Sequence, residues 1–353
     1  MNRAHHVAVN GIKGIRKLLQ SEKGRFAAAP ILLIQGTNDD VGGGKKLLCA
    51  KQVHFLFAQQ LGLRTVVSNS LGLSAFPTTE LVQQQVDLCA RVGAATICAV
   101  GSDAAMHLAK ATAQLQQMDE LILIPATYSA VLATTPERSL LVDTKEETLV
   151  PDKPTNNKGS MPSVTIARPD ATMLDLTDKE ATNEAAFAVL AFCLAREHQG
   201  ESFNDEIITQ LQSFLSLTRA DKPGEALQPL ATSLQLVGQD MNWGFGQRGR
   251  RDVSLAIAVS LLPKIFPTSR TTSIMASHAP TLFINGGNNN ADTRLAPLYQ
   301  DLVELLGEPN ALVCNQSVDT LLGVVRENQA AWNCLDVRKQ VMTLCLSAHS
   351  LVD

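Results

Sequence analysis

The chain has 353 residues, 45% of them apolar and 18% charged, and its formal net charge at pH 7 is −4. This length and composition predict a folded protein with two lobes or two domains and exclude a small module. No apolar run reaches the roughly 18 residues that span a bilayer, and the net charge argues against broad electrostatic attraction to nucleic acid, so any basic contact must be local. The seven cysteines are scattered without a CxxC pair, which is typical of a reducing compartment.

Residues 1–26 form a basic amphipathic segment with six Lys or Arg residues against one acid, Glu22. Four aliphatic side chains fall on one face of a helix in this segment: Ile12, Ile15, Leu18 and Leu19. Such a pattern is typical of a mitochondrial presequence, and equally of an ordinary basic surface helix. A mitochondrial location and a cytoplasmic one are therefore both open.

Between residues 30 and 143, short apolar runs alternate with amphipathic stretches, which predicts a parallel sheet with crossover helices. The predicted strands are 30–36, 64–68, 95–101, 120–125, 139–143 and 172–176. Between the second and third strands, Thr78 follows a proline and precedes Glu80, which predicts the N-cap of a helix. This part of the chain is expected to be an α/β domain over residues 27–177.

Residues 151–163 have the proline, asparagine and glycine content of a loop, and beyond Thr177 the apolar spacing becomes helical. Helices are predicted around 183–197, 204–217, 225–240, 252–262, 296–306 and 317–331. The sequence thus predicts an all-helical domain over residues 178–353, after a doubly wound α/β domain.

Three stretches resemble a known family: residues 76–113, 121–136 and 167–176 are similar in order and spacing to the iron-containing alcohol dehydrogenases and the maleylacetate reductases. The resemblance implies the dehydroquinate synthase-like fold, in which a Rossmann-like nucleotide domain precedes a helical, metal-binding domain. It also implies that the family's loop, GGGSxxDxxK, falls on the segment that begins at Gly101.

The resemblance implies that NAD(P), if the chain is active, lies at four positions: Gly101, Ser102, Lys110 and Thr127. Only the first glycine and the lysine of the family loop are kept, since Ser102 and Asp103 replace two glycines and His107 replaces the family aspartate. A carboxylate at Asp103 opposes a pyrophosphate, so the loop is interpreted as degenerate and no cofactor is expected.

The resemblance also implies where the metal ligands of the family would fall. The aligned positions are Asn183, Phe187, Ala258 and Thr268, which offer no convergent set of nitrogen and oxygen ligands for a divalent ion. No metal is expected. His278 is near a family histidine and is a weak catalytic candidate, although a lone histidine is more often structural.

A short arginine-rich stretch, residues 242–252, contains Arg248, Arg250 and Arg251 among glycines and two aromatic residues. Its composition suits RNA phosphates or a carboxylate-rich partner, whereas an exposed interhelical loop explains it equally simply.

Three functions follow from these observations. The preferred hypothesis is a catalytically degenerate dehydrogenase homologue that serves as a structural or assembly subunit, with protein partners in a larger complex or as a homodimer. The alternatives are a metal-independent NAD(P)-dependent oxidoreductase and a ribonucleoprotein component. Loss of both the phosphate loop and the metal ligands favours the first, because it removes binding and activation together.

Overall fold

The structure, a computed structural model, describes part of the chain at the level of individual residues. These residues are 6–35, 50–68, 77–134, 140–143, 148–151, 162–168, 178–198, 200–240 and 294–309, with Met275, Ala276, Ala279, Pro280 and Phe283. They divide into two compact units on either side of residue 175.

The first unit is built on a six-stranded sheet in which every described pairing is parallel. The strands are β1 (His6–Asn10), β2 (Ile31–Gln35), β3 (Thr65–Ser68), β4 (Thr96–Gly101), β5 (Glu120–Pro125) and β8 (Ser163–Arg168), in the order β1-β8-β5-β4-β2-β3. The central strands β4 and β5 are buried along their whole length, which explains why their sequences are continuous apolar runs rather than alternating ones.

Helices cover both faces of this sheet. They are α1 (Gly11–Ser21), α2 (Lys23–Ala27), α3 (Ala50–Phe55), continued by a π-helical turn at Leu56–Gln60, then α4 (Thr79–Val92), α5 (Asp103–Leu115) and α6 (Tyr128–Leu132). On one face, Ile31 and Leu33 pack with Ile15 and Phe57; on the other, the alternate strand residues pack with α4, α5 and α6. The predicted α/β architecture is confirmed.

The amino-terminal segment is part of this unit. Residues His6–Asn10 form the edge strand β1, which pairs with β8, and the helix that follows buries Ile15 and Leu19 completely. Gly14 allows this close packing, since a Cβ atom there would lie 2.9 Å from the Cβ of Val9. The amphipathic helix was predicted from the sequence, but the strand was not.

One predicted strand belongs to a different sheet. Residues 139–143 were expected in the parallel sheet, but β6 (Leu140–Asp143) pairs antiparallel with β7 (Thr148–Pro151) in a separate two-stranded sheet. The expected pairing was wrong because a short apolar run predicts an extended strand without specifying its partner. The predicted strand 172–176 lies outside the described residues.

The second unit is helical in its described part. Its helices are α7 (Lys179–His198), α8 (Asp205–Arg219), α9 (Pro223–Asp240) and α10 (Leu295–Leu306). Every residue of α7 from Glu184 to Leu194 is buried, so this helix is apolar on all sides and forms the centre of the unit. The predicted helical region after the α/β region is confirmed, and the helices predicted at 252–262 and 317–331 lie outside the described residues.

Candidate functional site

The loops after β4 and β5 meet at the carboxyl edge of the parallel sheet. Gly101 and Pro125 are paired at the ends of these strands, and the amide of Ala126 donates a hydrogen bond of 3.1 Å to the carbonyl oxygen of Gly101. Gly101 has a φ of 114°, a conformation that side chains disfavour, which explains why glycine is kept here. Open parallel sheets bind ligands at this edge.

A carboxylate of the chain itself lies at the amino end of α5. Ser102 is the N-cap residue, but its hydroxyl makes no capping hydrogen bond. Instead, the amide of Ala104 donates a hydrogen bond of 2.9 Å to Oδ1 of Asp103. Because amide groups and the helix dipole make this end positive, Asp103 offsets the potential that would attract a phosphate.

Lys110, the lysine that matches the family loop, makes a structural contact. Its side chain is 4% exposed, and Nζ donates a hydrogen bond of 2.8 Å to the carbonyl oxygen of Ala133, the C-cap residue of α6. The ammonium group therefore joins α5 to α6. The nearby His107 is also buried, and burial together with the Lys110 charge holds its pKa well below 6.5.

Thr127 stabilises the short helix that follows β5. As the N-cap residue, it accepts a hydrogen bond of 3.1 Å from the amide of Ala130, and its hydroxyl oxygen lies 2.9 Å from that of Ser129. The fold thus places Gly101, Ser102 and Thr127 at one edge of the sheet, as predicted for a nucleotide loop, while Lys110 lies two turns into α5. Their binding of a cofactor stays a prediction.

The first two metal positions of the family lie on α7 and take part in packing. Nδ2 of Asn183 donates a hydrogen bond of 3.0 Å to the carbonyl oxygen of Leu306, at the end of α10. Phe187 is fully buried and meets the ring of Tyr299 edge-on, with 6.2 Å between centroids. Tyr299 in turn stacks on Phe283 at 4.2 Å.

We call Phe187, Tyr299 and Phe283 the α7 aromatic cluster. Burial, with a smaller contribution from the negative charge of Glu308, raises the pKa of Tyr299 above 10. Phe187, which stands at a metal position of the family, has no nitrogen or oxygen atom in its side chain to bind a divalent cation. Across the ranges that the structure describes, no group of three or more His, Cys, Asp or Glu side chains converges on a possible ion.

The remaining predicted site residues lie outside the described residues. They are the metal positions Ala258 and Thr268, the catalytic candidate His278, and the arginines Arg248, Arg250 and Arg251. The hydrogen bond between Asp103 and the amide of Ala104 was not predicted, although an aspartate in the first turn of a helix is a recognisable signal for it.

Solved structures share this fold. The NADH-dependent butanol dehydrogenase A of Thermotoga maritima is 13% identical with a TM-score of 0.57, over 99% of this chain and 98% of that one. The iron-containing alcohol dehydrogenase of Corynebacterium glutamicum is 13% identical with a TM-score of 0.53, over 98% and 94%. Maleylacetate reductase from Agrobacterium tumefaciens is 14% identical with a TM-score of 0.51, over 96% of both chains.

These comparisons confirm the resemblance predicted from the sequence, at the level of the fold. The chain has the fold of the iron-containing alcohol dehydrogenases and maleylacetate reductases, with 13% to 14% sequence identity to these three structures. No protein-family model and no curated protein matches the chain. Among the described helices, none is both long and apolar enough to cross a membrane.

Proposed function

We propose that the chain is a catalytically degenerate dehydrogenase homologue, which uses the fold as a structural or assembly subunit of a mitochondrial complex. The observation that carries this proposal is the carboxylate of Asp103, which accepts a hydrogen bond from the amide of Ala104 at the start of α5. In a nucleotide-binding strand–turn–helix unit, the amides at the start of the helix serve the pyrophosphate. Here one of them, the amide of Ala104, serves a carboxylate of the chain itself.

The electrostatic effect is large enough to matter for binding. Two like unit charges 4 Å apart repel by about 1 kcal/mol in bulk water and about 4 kcal/mol in the medium near a protein surface. Each 1.4 kcal/mol is about tenfold in a dissociation constant. A partly buried Asp103 therefore weakens pyrophosphate binding by roughly one to three orders of magnitude, before the added Cβ atoms of Ser102 and Asp103 are counted.

The second unit supports the same proposal independently. The metal positions on α7 are used for a helix-to-helix hydrogen bond and for an aromatic contact. A reaction of the iron-dependent kind needs ligands that hold the ion and polarise the substrate oxygen, and neither Asn183 nor Phe187 supplies a strong ligand. Their present contacts stabilise the unit without any catalysis.

Calorimetric titration of the purified chain with NADH and with NADPH tests this function. We expect no heat of binding for either nucleotide up to millimolar concentration. Micromolar binding would contradict the proposal and favour a metal-independent NAD(P)-dependent oxidoreductase. Elemental analysis of the same sample is expected to find no stoichiometric iron or zinc, and a stoichiometric metal that disappears in Asn183→Ala would count equally against it.

The mitochondrial location needs a separate experiment. Import of the radiolabelled chain into isolated mitochondria, followed by protease treatment, is expected to leave a protected band that depends on the membrane potential. A chain that stays fully protease-sensitive would contradict the location and leave the rest of the proposal unaffected.

A further inference from the structure

The solvent face of α1 carries a row of cations. Lys13, Arg16 and Lys17 are all exposed, and their spacing of three and four residues places them side by side on one face of the helix. We call these three residues the basic face of α1. Arg168, also exposed, pairs in the strand register with Asn10, the residue that precedes α1, and so adds a fourth cation near the start of the helix.

The basic face is not neutralised within the part of the chain that the structure describes. None of its three side chains forms an ion pair with a described residue. Arg25, on the neighbouring helix, shows the contrast, since it is paired with both Glu22 and Glu120. The concentration of unpaired positive charge stands out in a chain whose net charge is −4.

The opposite face of α1 is fixed in the core of the first unit. Ile15 and Leu19 are fully buried and belong to the same apolar cluster as Ile31 and Leu33 of β2. The helix therefore has no free apolar face with which to enter a lipid interface, as a membrane-surface helix would need. The remaining exposed positions near its end, Gln20 and Ser21, are polar.

We infer that the basic face of α1 binds the phosphate backbone of a nucleic acid. A stable protein–protein interface has an apolar centre, which this face lacks, whereas phosphate backbones are bound by rigidly held cations alone. The interaction is expected to be independent of base sequence, because no aromatic residue for base stacking is exposed among the described residues of α1 and α2. This inference does not rest on the proposed loss of catalysis.

Fluorescence anisotropy with labelled oligouridine RNA of about 16 nucleotides, the upper end of a usual single-strand site, tests the inference. The variant is Lys13→Gln with Arg16→Gln and Lys17→Gln. Because each lost phosphate contact lowers the slope of log affinity against log salt by about 0.7, we expect the slope to fall by about 2. We also expect affinity at about 50 mM salt to fall on the order of tenfold or more.

Two control proteins separate the basic face from total charge and from folding. A variant with Arg91→Gln, Lys179→Gln and Lys222→Gln removes three exposed cations elsewhere and is expected to keep the native affinity and slope. A variant with Lys13→Arg, Arg16→Lys and Lys17→Arg keeps the charges and is expected to bind like the native protein. Circular dichroism is expected to give the same melting temperature, within a few degrees, for all four proteins.

Duplex RNA and duplex DNA arms show which backbone is preferred, and binding of any of the three nucleic acids with loss in the triple glutamine variant supports the inference. Absence of binding to all three at about 50 mM salt would overturn it. So would equal binding by the native protein and the triple variant, or binding of phosphatidylserine vesicles or polyglutamate in place of nucleic acid.

Discussion

The carboxyl edge of the sheet and helix α7 both differ from the dehydrogenase pattern at the aligned positions, but in physically different ways. At the sheet edge, the backbone keeps the form of a ligand site: Gly101 retains its positive φ, and the amide of Ala126 still joins the two loops. The difference from the glycines of the family loop lies in the charge and size of two side chains, Ser102 and Asp103. On α7, the positions that differ from the family's metal ligands, Asn183 and Phe187, make packing contacts within their unit.

The two regions therefore differ in how easily substitutions could convert them to the family pattern. A charge placed on an intact backbone is removed by one or two substitutions, since the amides beneath it remain in place. A buried ring such as Phe187 contributes to the stability of its unit, so replacing it with a ligand creates a cavity and buries a polar group at once. We therefore expect the sheet edge to accept the family residues without repacking, whereas α7 is not expected to accept them.

The largest effect is expected from truncating the buried ring on α7. Phe187→Ala should lower the free energy of unfolding by about 3 to 5 kcal/mol, because it leaves a cavity beside Tyr299. Urea denaturation measures the change. Phe55→Ala is the matched control, because that ring is 56% exposed and its loss should cost less than about 1 kcal/mol. Equal effects in the two variants would show that Phe187 is not a packing residue.

The buried His107 of α5 is expected to make the stability of the protein depend on pH. The pKa of His107 is lowered in the folded state by burial and by the Lys110 charge, so the folded protein stays unprotonated where the unfolded chain takes up a proton. The contribution of neutral His107 to the free energy of unfolding is complete above about pH 6.5. It is lost as the pH falls below that value, by about 1.4 kcal/mol per pH unit.

Urea denaturation between pH 8 and pH 5 measures this dependence. The variant His107→Gln has no proton to take up, so its free energy of unfolding should fall less steeply below about pH 6.5, while the two slopes agree near pH 8. Identical slopes across the whole range would show that His107 titrates alike in the folded and unfolded states.

The smallest effect on stability is expected at Thr127, where substitution distinguishes a helix-capping role of the hydroxyl from a ligand-binding role. Thr127→Ala should cost about 1 kcal/mol of stability, because the amide of Ala130 loses its acceptor, and Thr127→Ser should restore most of it. Thermal denaturation measures both. If the alanine variant were as stable as the native protein, the hydroxyl would be dispensable for α6 and a ligand-binding role would gain support.

The central part of the fold could be predicted from the sequence because its signals are local. Buried parallel strands such as β4 and β5 are continuous apolar runs, and α4 is capped by Thr78, whose hydroxyl accepts a hydrogen bond from the amide of Leu81. Strand β1 was missed, since the cations that follow it dominate the composition of residues 1–26, and strand β8 was missed as well. The pairing of β6 with β7 could not be predicted, because the sequence of one strand does not specify its partner or the register between them.

The candidate site could be predicted as a set of positions but not as a set of contacts. Alignment identified Gly101, Lys110 and Asn183, and each lies on the element expected for it. Their hydrogen bonds depend on long-range packing: Lys110 reaches a carbonyl 23 residues away and Asn183 one 123 residues away. Contacts at such separation carry no periodic signal in the sequence.

A paired restoration experiment tests the distinction between charge and packing most directly. One variant combines Ser102→Gly with Asp103→Gly, and the other combines Asn183→Asp with Phe187→His. Calorimetry with NADH on the first should detect binding that the native protein lacks, whereas iron and zinc added to the second should not bind stoichiometrically. Absence of nucleotide binding by the glycine variant, together with tight metal binding by the aspartate–histidine variant, would contradict the account.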